Sequence, residues 1–346
     1  MIHSVFQQPV AQTWRKLFLD GFNHLLVEGE RWPLSLRERE LIGAVSRTVN
    51  APAWLSRVNM MRRLSARFAP LASIQDGYAL CDVGGVAGMP EAFAAAEAKL
   101  KTYLRYKAGE ADVGERIDRA AYEREMSKAD RDPVKHVPYR HDREAAVALF
   151  RPFLAPEMYL TAARHLGVLP VLASVRIAWS PNREADGVRS SQMIHLDPEG
   201  ARQVKVFIAV RAVGPENSPL TFVPEHHSLR LIESGHPAFL GRRVKDRKLE
   251  NRVPRSEWIS HQGPPGSAVF IDTSRCFHYG SRPAPQPRLL LYAQYLDPFC
   301  SVFAAARRPL RKLAEGNAFY PTRDPAELAV LARRPAMLDR FRPAKG

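Results

Sequence analysis

The chain has 346 residues, 45% apolar and 25% charged, which is ordinary for a globular protein and excludes a fibrous or disordered class. Its formal net charge of +15 comes mostly from Arg. Basic and acidic residues alternate without long runs of one sign, so we expect no specific nucleic-acid partner. The charge favours an anionic small-molecule substrate instead.

Cysteine usage and the apolar segments indicate the compartment. Cys81, Cys276 and Cys300 are odd in number and far apart, so they predict no disulfide framework. Residues 1–9 have neither a basic nor an apolar segment of a leader peptide. Residues 166–179 are apolar but too short for a bilayer, which takes about 20 residues. We expect a cytoplasmic protein without a membrane span, and the oligomeric state is left open.

The first half of the chain has apolar residues at helical spacing. One stripe consists of Trp14, Phe18, Phe22 and Leu25, and another begins at Leu36. Further helices are predicted over residues 90–109, 115–126 and 156–166, where Pro90 suits a first helical turn. Residues 130–142 are charged and contain two prolines, which predicts a loop or lid. We therefore interpret residues 1–169 as a mainly helical region.

Beyond residue 170 the apolar runs shorten and become rich in β-branched and aromatic residues, with Pro, Gly and Asn between them. The predicted strands are residues 171–179, 190–197, 204–213, 220–223, 268–272 and 288–296. Several short strands joined by turns are typical of a sandwich or jelly roll. The sequence thus predicts a mainly β fold with flanking α-helices, in which residues 170–298 form the core. Residues 299–346 form a C-terminal helical extension of the same single catalytic domain.

Three residues of this core have the chemistry of metal ligands. His195 and Asp197 are two apart at the end of a predicted strand, so both side chains point to one face before Pro198 ends the strand. His278 follows the strand 268–272 after a short turn. Two imidazoles and one carboxylate form the facial triad of non-haem Fe(II) oxygenases.

Arg288 opens a predicted strand whose two faces are both mostly apolar, with Leu290 and Tyr292 on the face of Arg288. A buried Arg needs an anionic partner, and its guanidinium can fork onto a carboxylate. Taken singly, each candidate also has a structural interpretation: a core histidine, a turn aspartate or an ion-pair arginine. The order of the four residues along the chain favours a metal site with a carboxylate co-substrate.

Residues 190–298 resemble the phytanoyl-CoA dioxygenase family of Fe(II)/2-oxoglutarate-dependent oxygenases. The segments that carry the resemblance are residues 192–197, 204–208, 219–227 and 268–272, followed by His278 and Arg288. It implies a double-stranded β-helix fold of the cupin-like kind, with iron held by His195, Asp197 and His278. It also implies that Arg288 holds the distal carboxylate of 2-oxoglutarate. One departure is Pro224-Glu225-His226-His227, where the family usually has Pro-Gly-Ser-His.

The activity implied by the resemblance is hydroxylation of a small organic substrate, with Fe(II) as cofactor and 2-oxoglutarate and O2 as co-substrates. Asp197 favours hydroxylation because related halogenases lack this carboxylate, although desaturation and ring closure use the same ligands. Thr221 and Tyr292 are further candidates for hydrogen bonds to 2-oxoglutarate. Lys205 is expected to face solvent, and Arg275 to pair with Asp272.

Two alternative functions stay open. One is a jelly-roll binding protein with a vestigial metal site, since a fold does not guarantee an activity. The other is a cupin-like metalloenzyme that does not use 2-oxoglutarate. A buried Arg288 would argue against the latter.

Overall fold

A computed structural model describes residues 35–109, 122–123, 134–182, 188, 190–235, 239, 243–300 and 319–332. The stripe from Trp14 to Leu25, most of the predicted helix 115–126, residues 130–133 and most of the C-terminal extension lie outside these ranges. Among the described residues, no helix is long and apolar enough to cross a membrane.

Eight α-helices lie in the described part of the chain. They are α1 (Leu36–Val49), α2 (Ala51–Ser65), α3 (Met89–Lys107), α4 (Arg143–Phe150), α5 (Pro156–Leu166), α6 (Glu225–Glu233), α7 (Asp246–Glu250) and α8 (Pro325–Val330). Short 3-10 helices occupy Arg151–Leu154, Ser190–Gln192, Pro215–Asn217 and Arg255–Glu257.

The same ranges contain eleven β-strands. They are β1 (Tyr78–Asp82), β2 (Lys135–Val137), β3 (Val171–Ser180), β4 (Ile194–His195), β5 (Gln203–Ala209), β6 (Thr221–Phe222), β7 (Arg243–Val244), β8 (Ile259–Ser260), β9 (Ser267–Ile271), β10 (His278–Tyr279) and β11 (Arg288–Leu296).

The strands form two antiparallel sheets. The large sheet has the order β1-β9-β5-β11-β3-β2, and the small sheet has the order β7-β4-β10-β6-β8. The chain alternates between the sheets, since β4 and β6 flank β5, and β10 lies between β9 and β11 in sequence. This arrangement confirms the predicted mainly β, double-stranded β-helix fold with helices around it.

The main apolar core lies between the large sheet and the helices. Alternate residues of β11, Leu289 and Leu291, join the side chains of α3, α4 and α5 in one buried cluster. Leu290 and Tyr292 belong to a separate cluster on the other face of the strand, toward the small sheet. Both faces of β11 are therefore covered, as its apolar sequence predicts.

Local sequence explains where several helices begin and end. Ser35 caps α1 in a capping box with Glu38, because each side chain accepts a hydrogen bond from the other residue's backbone N–H. Helix α5 begins at Pro156 and ends before Gly167, which adopts a left-handed conformation with φ of 72°.

Part of the predicted loop 130–142 has regular structure. Residues 135–137 form β2, which pairs with β3 at the edge of the large sheet, and Asp142 caps α4 by accepting from the Ala145 N–H. The described residues 134–142 thus contain an edge strand, which includes the polar Lys135 and His136, and a helix cap, which is Asp142. Movement of the segment as a lid remains a prediction.

Candidate active site

The two predicted histidine ligands face each other across the small sheet. His195 on β4 and His278 on β10 are directly opposite residues of an antiparallel pair, so both side chains lie on one face. Their ring centroids are 4.3 Å apart. Pairing of two strands that are 83 positions apart along the chain thus brings the imidazoles together.

Each imidazole is oriented by its own backbone. His195 Nδ1 lies 2.8 Å from the Met193 carbonyl oxygen, and His278 Nδ1 lies 3.0 Å from the Cys276 carbonyl oxygen. A carbonyl only accepts, so the proton of each neutral ring resides on Nδ1 and Nε2 keeps its lone pair. Histidine ligands of metals are typically fixed in this way by a bond from the second ring nitrogen.

Asp197 completes the group, although it does not lie on the strand as predicted. Strand β4 ends at His195, and the Asp197 N–H donates to the Thr273 carbonyl oxygen at 2.9 Å. The carboxylate nevertheless reaches both rings: Oδ1 is 3.8 Å from His195 Nε2 and Oδ2 is 3.7 Å from His278 Nε2. In the described part of the chain, one atom from each residue lies within 4.8 Å of the others, a grouping that fits a metal ion.

The electrostatics of this group favour a charged Asp197 carboxylate and a neutral His278 ring. Burial alone would raise the pKa of Asp197, but Lys205 and the two histidines together hold that pKa below its usual range. Burial, and next the neighbouring His195, lower the pKa of His278 to about 3. At neutral pH Asp197 is therefore anionic and His278 neutral, which are the forms that bind a metal.

The expectation that Lys205 faces solvent is wrong. Its Nζ donates to Asp197 Oδ2 at 2.7 Å, and its side chain is 16% exposed. The Lys205 side chain shares the inner face of β5 with Phe207, which packs against Leu290 and Tyr292. Arg211, beyond the end of β5, does reach the surface and pairs with Glu97.

A cavity of about 180 Å³ is lined by the two candidate histidine ligands and by Arg288. Its walls contain His195, Lys205, His278, Arg288 and Tyr292, together with apolar and small residues of both sheets. These are Val134, Ala178, Phe207, Leu220, Gly280 and Leu290. Because a single water needs only about 10–15 Å³ by such a measure, this space admits a small organic molecule.

Arg288 is 4% exposed, and its Nη2 donates to Ser281 Oγ at 2.6 Å. Among the described residues, its buried Nε and Nη1 have no hydrogen-bond partner. Burial lowers the pKa of Arg288 to about 10, so the guanidinium stays charged at neutral pH. Two free donors on a buried cation in this cavity match a bidentate anionic ligand such as a carboxylate.

Ser281 links Arg288 to the rest of the site, and sequence reasoning did not find it. Its hydroxyl accepts from Arg288 and from Ser180 Oγ at 2.7 Å, and its carbonyl accepts from Gln192 Nε2 at 2.6 Å. Ser281 Oγ can then donate into the cavity, since both of these bonds use its lone pairs. Its position three residues after His278 was the available signal.

The remaining predicted residues separate into two groups. Tyr292 lines the cavity as expected, where its ring packs 5.3 Å from that of Phe207. Thr221 lies outside the cavity lining, because its hydroxyl lies against Ser260 Oγ at 3.0 Å and Pro219 O at 3.3 Å. The structure therefore does not place Thr221 with the other co-substrate candidates.

The residues around the turn before His278 have structural contacts. Arg275 pairs with Glu225 and Glu40 instead of Asp272. Asp272 is fully buried and bonds to His165 Nε2 at 2.8 Å. Glu225, at which the chain departs from the family pattern, thus supplies an ion-pair partner for this turn. The thiol of Cys276 in the same turn is buried.

The family model described as "Phytanoyl-CoA dioxygenase (PhyH)" matches residues 75–286. The chain therefore belongs to the phytanoyl-CoA dioxygenase family, whose members are non-haem iron, 2-oxoglutarate-dependent oxygenases. The match begins well before residue 190, so it includes α3, α4 and α5, which showed no recognisable motif in the sequence. The predicted enzyme class, with its iron cofactor and 2-oxoglutarate co-substrate, is confirmed.

No curated protein matches the chain. Among solved structures, EvdMO1 is 17% identical with a TM-score of 0.43, over 64% of this chain and 48% of that one. EctD from S. alaskensis, with 2-oxoglutarate and 5-hydroxyectoine, is 16% identical with a TM-score of 0.41, over 68% and 74%. The epimerase SnoN, in complex with Fe3+, alpha ketoglutarate and nogalamycin RO, is 17% identical with a TM-score of 0.40, over 69% and 84%. The chain thus spans about half the length of EvdMO1.

Proposed function

We propose that this protein hydroxylates a small, anionic organic substrate, with release of succinate and CO2 from 2-oxoglutarate. His195, Asp197 and His278 hold Fe(II) in this proposal, and Arg288 holds the distal carboxylate of 2-oxoglutarate. The observation that carries the proposal is a pair of buried guanidinium nitrogens of Arg288 that have no hydrogen-bond partner among the described residues, in the cavity that His195 and His278 also line.

The donor set fits the metal. Two imidazole Nε2 atoms and one carboxylate form a 2-His-1-carboxylate group that leaves open positions on iron. The hydrogen bonds from both Nδ1 atoms to carbonyls direct both Nε2 atoms toward Asp197, and the low pKa values of His278 and Asp197 keep these two donors in their binding forms. Thiolate ligands, which favour softer metals, are missing from this group.

The environment of Arg288 fits a carboxylate. An unpaired buried cation is costly, and in water-free surroundings its most favourable partner is an anion that accepts two parallel hydrogen bonds. Nε and Nη1 are available for such an anion, while Ser281 Oγ orients Nη2. A site without a carboxylate co-substrate has little use for this arrangement.

When bound, iron and 2-oxoglutarate supply the oxidising chemistry, and the residues of the chain confine it. Arg288 and Ser281 fix one end of the co-substrate, so its other end is directed toward His195 and His278. Phe207, Leu290 and the remaining apolar walls exclude water from the reacting atoms. Lys205 places a positive charge on the cavity wall, which supports an anionic group on the substrate.

Anaerobic spectroscopy tests the proposal. Protein loaded with Fe(II) should develop a weak visible charge-transfer band when 2-oxoglutarate is added, and the His195→Ala variant should lose this band. Under air, the wild-type protein should release succinate, faster in the presence of an accepted substrate. Screening anionic and neutral small molecules for this stimulation then defines the substrate class.

The absence of both the band and succinate would contradict the proposal. Metal binding without any response to 2-oxoglutarate would instead favour the cupin-like metalloenzyme that the sequence leaves open. An Arg288→Ala variant serves as a matched control, because it should keep metal binding and lose the band at low 2-oxoglutarate concentration.

A further inference from the structure

Helix α1 precedes the residues that match the family model, yet it contacts the loop that contains Asp197. Arg39 is 7% exposed, and its Nη1 donates to the Asp197 carbonyl oxygen at 2.9 Å and to the Gly200 carbonyl oxygen at 2.8 Å. One guanidinium nitrogen thus bridges both ends of the four-residue loop that follows β4. These two contacts join positions 158 and 161 apart in the chain.

Two other side chains contact this loop: Lys205 donates to the Asp197 carboxylate, and Gln203 donates to that of Glu199. The backbone of Asp197 lies beyond the end of β4, and its N–H bonds to Thr273 in a turn instead of a neighbouring strand. Pro198 has no N–H to donate. The direction of the Asp197 backbone therefore depends on the Thr273 and Arg39 contacts, while Lys205 holds the carboxylate from the other side.

Two other residues of α1 make different contacts. Arg47 pairs with Asp297 at the end of β11, and Glu40 accepts from Arg275 Nη1 at 3.0 Å. The side chains of Arg47 and Glu40 are 41% and 51% exposed, so both residues lie at the surface of the helix. Arg39 differs because it is buried and binds backbone of the candidate metal ligand itself.

We propose that Arg39 is a positioning residue for Asp197, which makes α1 part of the metal site although it lies outside the family domain. The inference rests on the proposed function, since it requires Asp197 to be a ligand. Acidic groups that include Asp272 and Glu199 offset the buried charge of Arg39. An apolar side chain at position 39 would leave two carbonyls without donors and release the loop.

Metal titration of Arg39→Met, without oxygen and without catalysis, tests this role. The probe is Co(II), followed by its visible ligand-field spectrum, with Mn(II) as a second metal. Loss of an orienting contact of this kind weakens metal binding by about 10–100-fold. We expect that loss in Arg39→Met, together with an altered Co(II) spectrum. The loss should be smaller in Arg39→Lys, because its ammonium keeps the charge and can donate to carbonyls but ends one bond short of the Nη1 position.

Arg47→Met is the matched control, since it makes the same change on the same helix and removes a contact that does not involve the loop. Its metal affinity should stay within about two-fold of wild type, because distant sites that share no contacts act independently. A folded Arg39→Met protein with wild-type affinity and spectrum would overturn the inference. If Arg39→Met does not fold, Arg39→Lys decides, because wild-type affinity in that variant has the same meaning.

The outcome for the wild-type protein separates the two proposals. If it binds neither Co(II) nor Mn(II), both the proposed function and the proposed role of Arg39 are refuted. If it binds both metals and Arg39 variants bind equally well, the proposed function stands and the role of Arg39 is refuted.

Discussion

The two sheets of the protein differ in how their geometry is determined. In the large sheet, β3 and β11 have 10 and 9 residues and pair along almost their whole length. In the small sheet, every described strand has two residues, and β4 and β10 share a single pair of opposite residues. The candidate metal ligands belong to the small sheet and its loops, whereas the large sheet supplies Lys205 and Arg288.

Side chains replace the missing backbone pairing in the small sheet. Ser228 Oγ accepts from the Phe277 N–H at 3.0 Å, Gln192 donates to the Ser281 carbonyl and Arg39 holds the Asp197 carbonyl. Long strands packed on both faces carry the stability, and short strands held by side chains carry the site. Stability and site geometry in this protein can therefore be changed separately.

Leu291→Ala should have the largest effect, and it acts on the large sheet. Leu291 of β11 is fully buried between the large sheet and the helices. Its truncation leaves a cavity and should lower the free energy of unfolding by about 2–5 kcal/mol. Metal affinity of the folded variant should be unchanged. Urea denaturation measures the free energy of unfolding, and Co(II) titration of the same sample measures the metal affinity. A loss of metal affinity in parallel with stability would contradict the independence of the two sheets.

Arg288→Lys should weaken 2-oxoglutarate binding by about 10–100-fold, because lysine retains the charge but cannot make the two parallel hydrogen bonds of the guanidinium. Metal affinity should not change, since Arg288 contacts none of the three candidate ligands. Titration of the charge-transfer band with 2-oxoglutarate measures the effect. An unchanged titration midpoint would show that Arg288 does not hold the co-substrate.

Lys205→Met should weaken metal binding by about ten-fold, as expected for removal of a group that orients a ligand. Lys205 reaches from the large sheet to Asp197 Oδ2, so this variant tests the contact between the sheets at the site. Arg211→Met is the control, because it removes the exposed pair with Glu97 near the same strand. Equal metal affinities of the two variants would mean that Lys205 does not orient the carboxylate.

His261→Gln should change the pH dependence of stability. His261 follows β8 of the small sheet, and burial, followed by the charge of Arg288, lowers its pKa to about 4. The unfolded chain binds a proton near pH 6.5 and the folded protein does not, so wild-type stability falls as the pH drops below 6.5.

Between pH 7.5 and 5.5, protonation of His261 in the unfolded chain should lower the free energy of unfolding of the wild-type protein by about 1 kcal/mol. The His261→Gln variant should not show this loss. Urea denaturation at the two pH values gives the difference between the proteins. Other titrating groups are common to both and cancel. The same loss in both proteins would mean that His261 protonates without penalty in the folded state.

Periodicity predicted four of the six strands of the large sheet, β3, β5, β9 and β11, and predicted the small sheet poorly. The bounds of β11 agree with the predicted residues 288–296, because seven of these nine residues are apolar or aromatic and such a segment has few alternatives to a buried strand. The predicted strand 190–197 is instead a 3-10 turn and the two residues of β4. Its polar residues bond to distant side chains and carbonyls, and such contacts leave no periodic signal.

The ligand set was predictable from residue chemistry and order, but its immediate neighbours were not. Alternation along β5 showed which residues share a face with Lys205, but it did not show which face of the strand points toward the site. The pairing of Lys205 with Asp197 was therefore missed. Arg39 was missed because nothing in a helical sequence indicates a contact 158 residues away. Thr221 was placed with the co-substrate by its strand position, whereas its hydroxyl bonds locally.

The bonds from both imidazole Nδ1 atoms to carbonyls two residues earlier bear on the speed of metal capture. Each ring is anchored to backbone of its own strand, so the proposed ligands have their final tautomer and tilt before any ion arrives. Capture then requires no rotation of either ring. The association rate should accordingly follow the entry of the hydrated ion into the cavity.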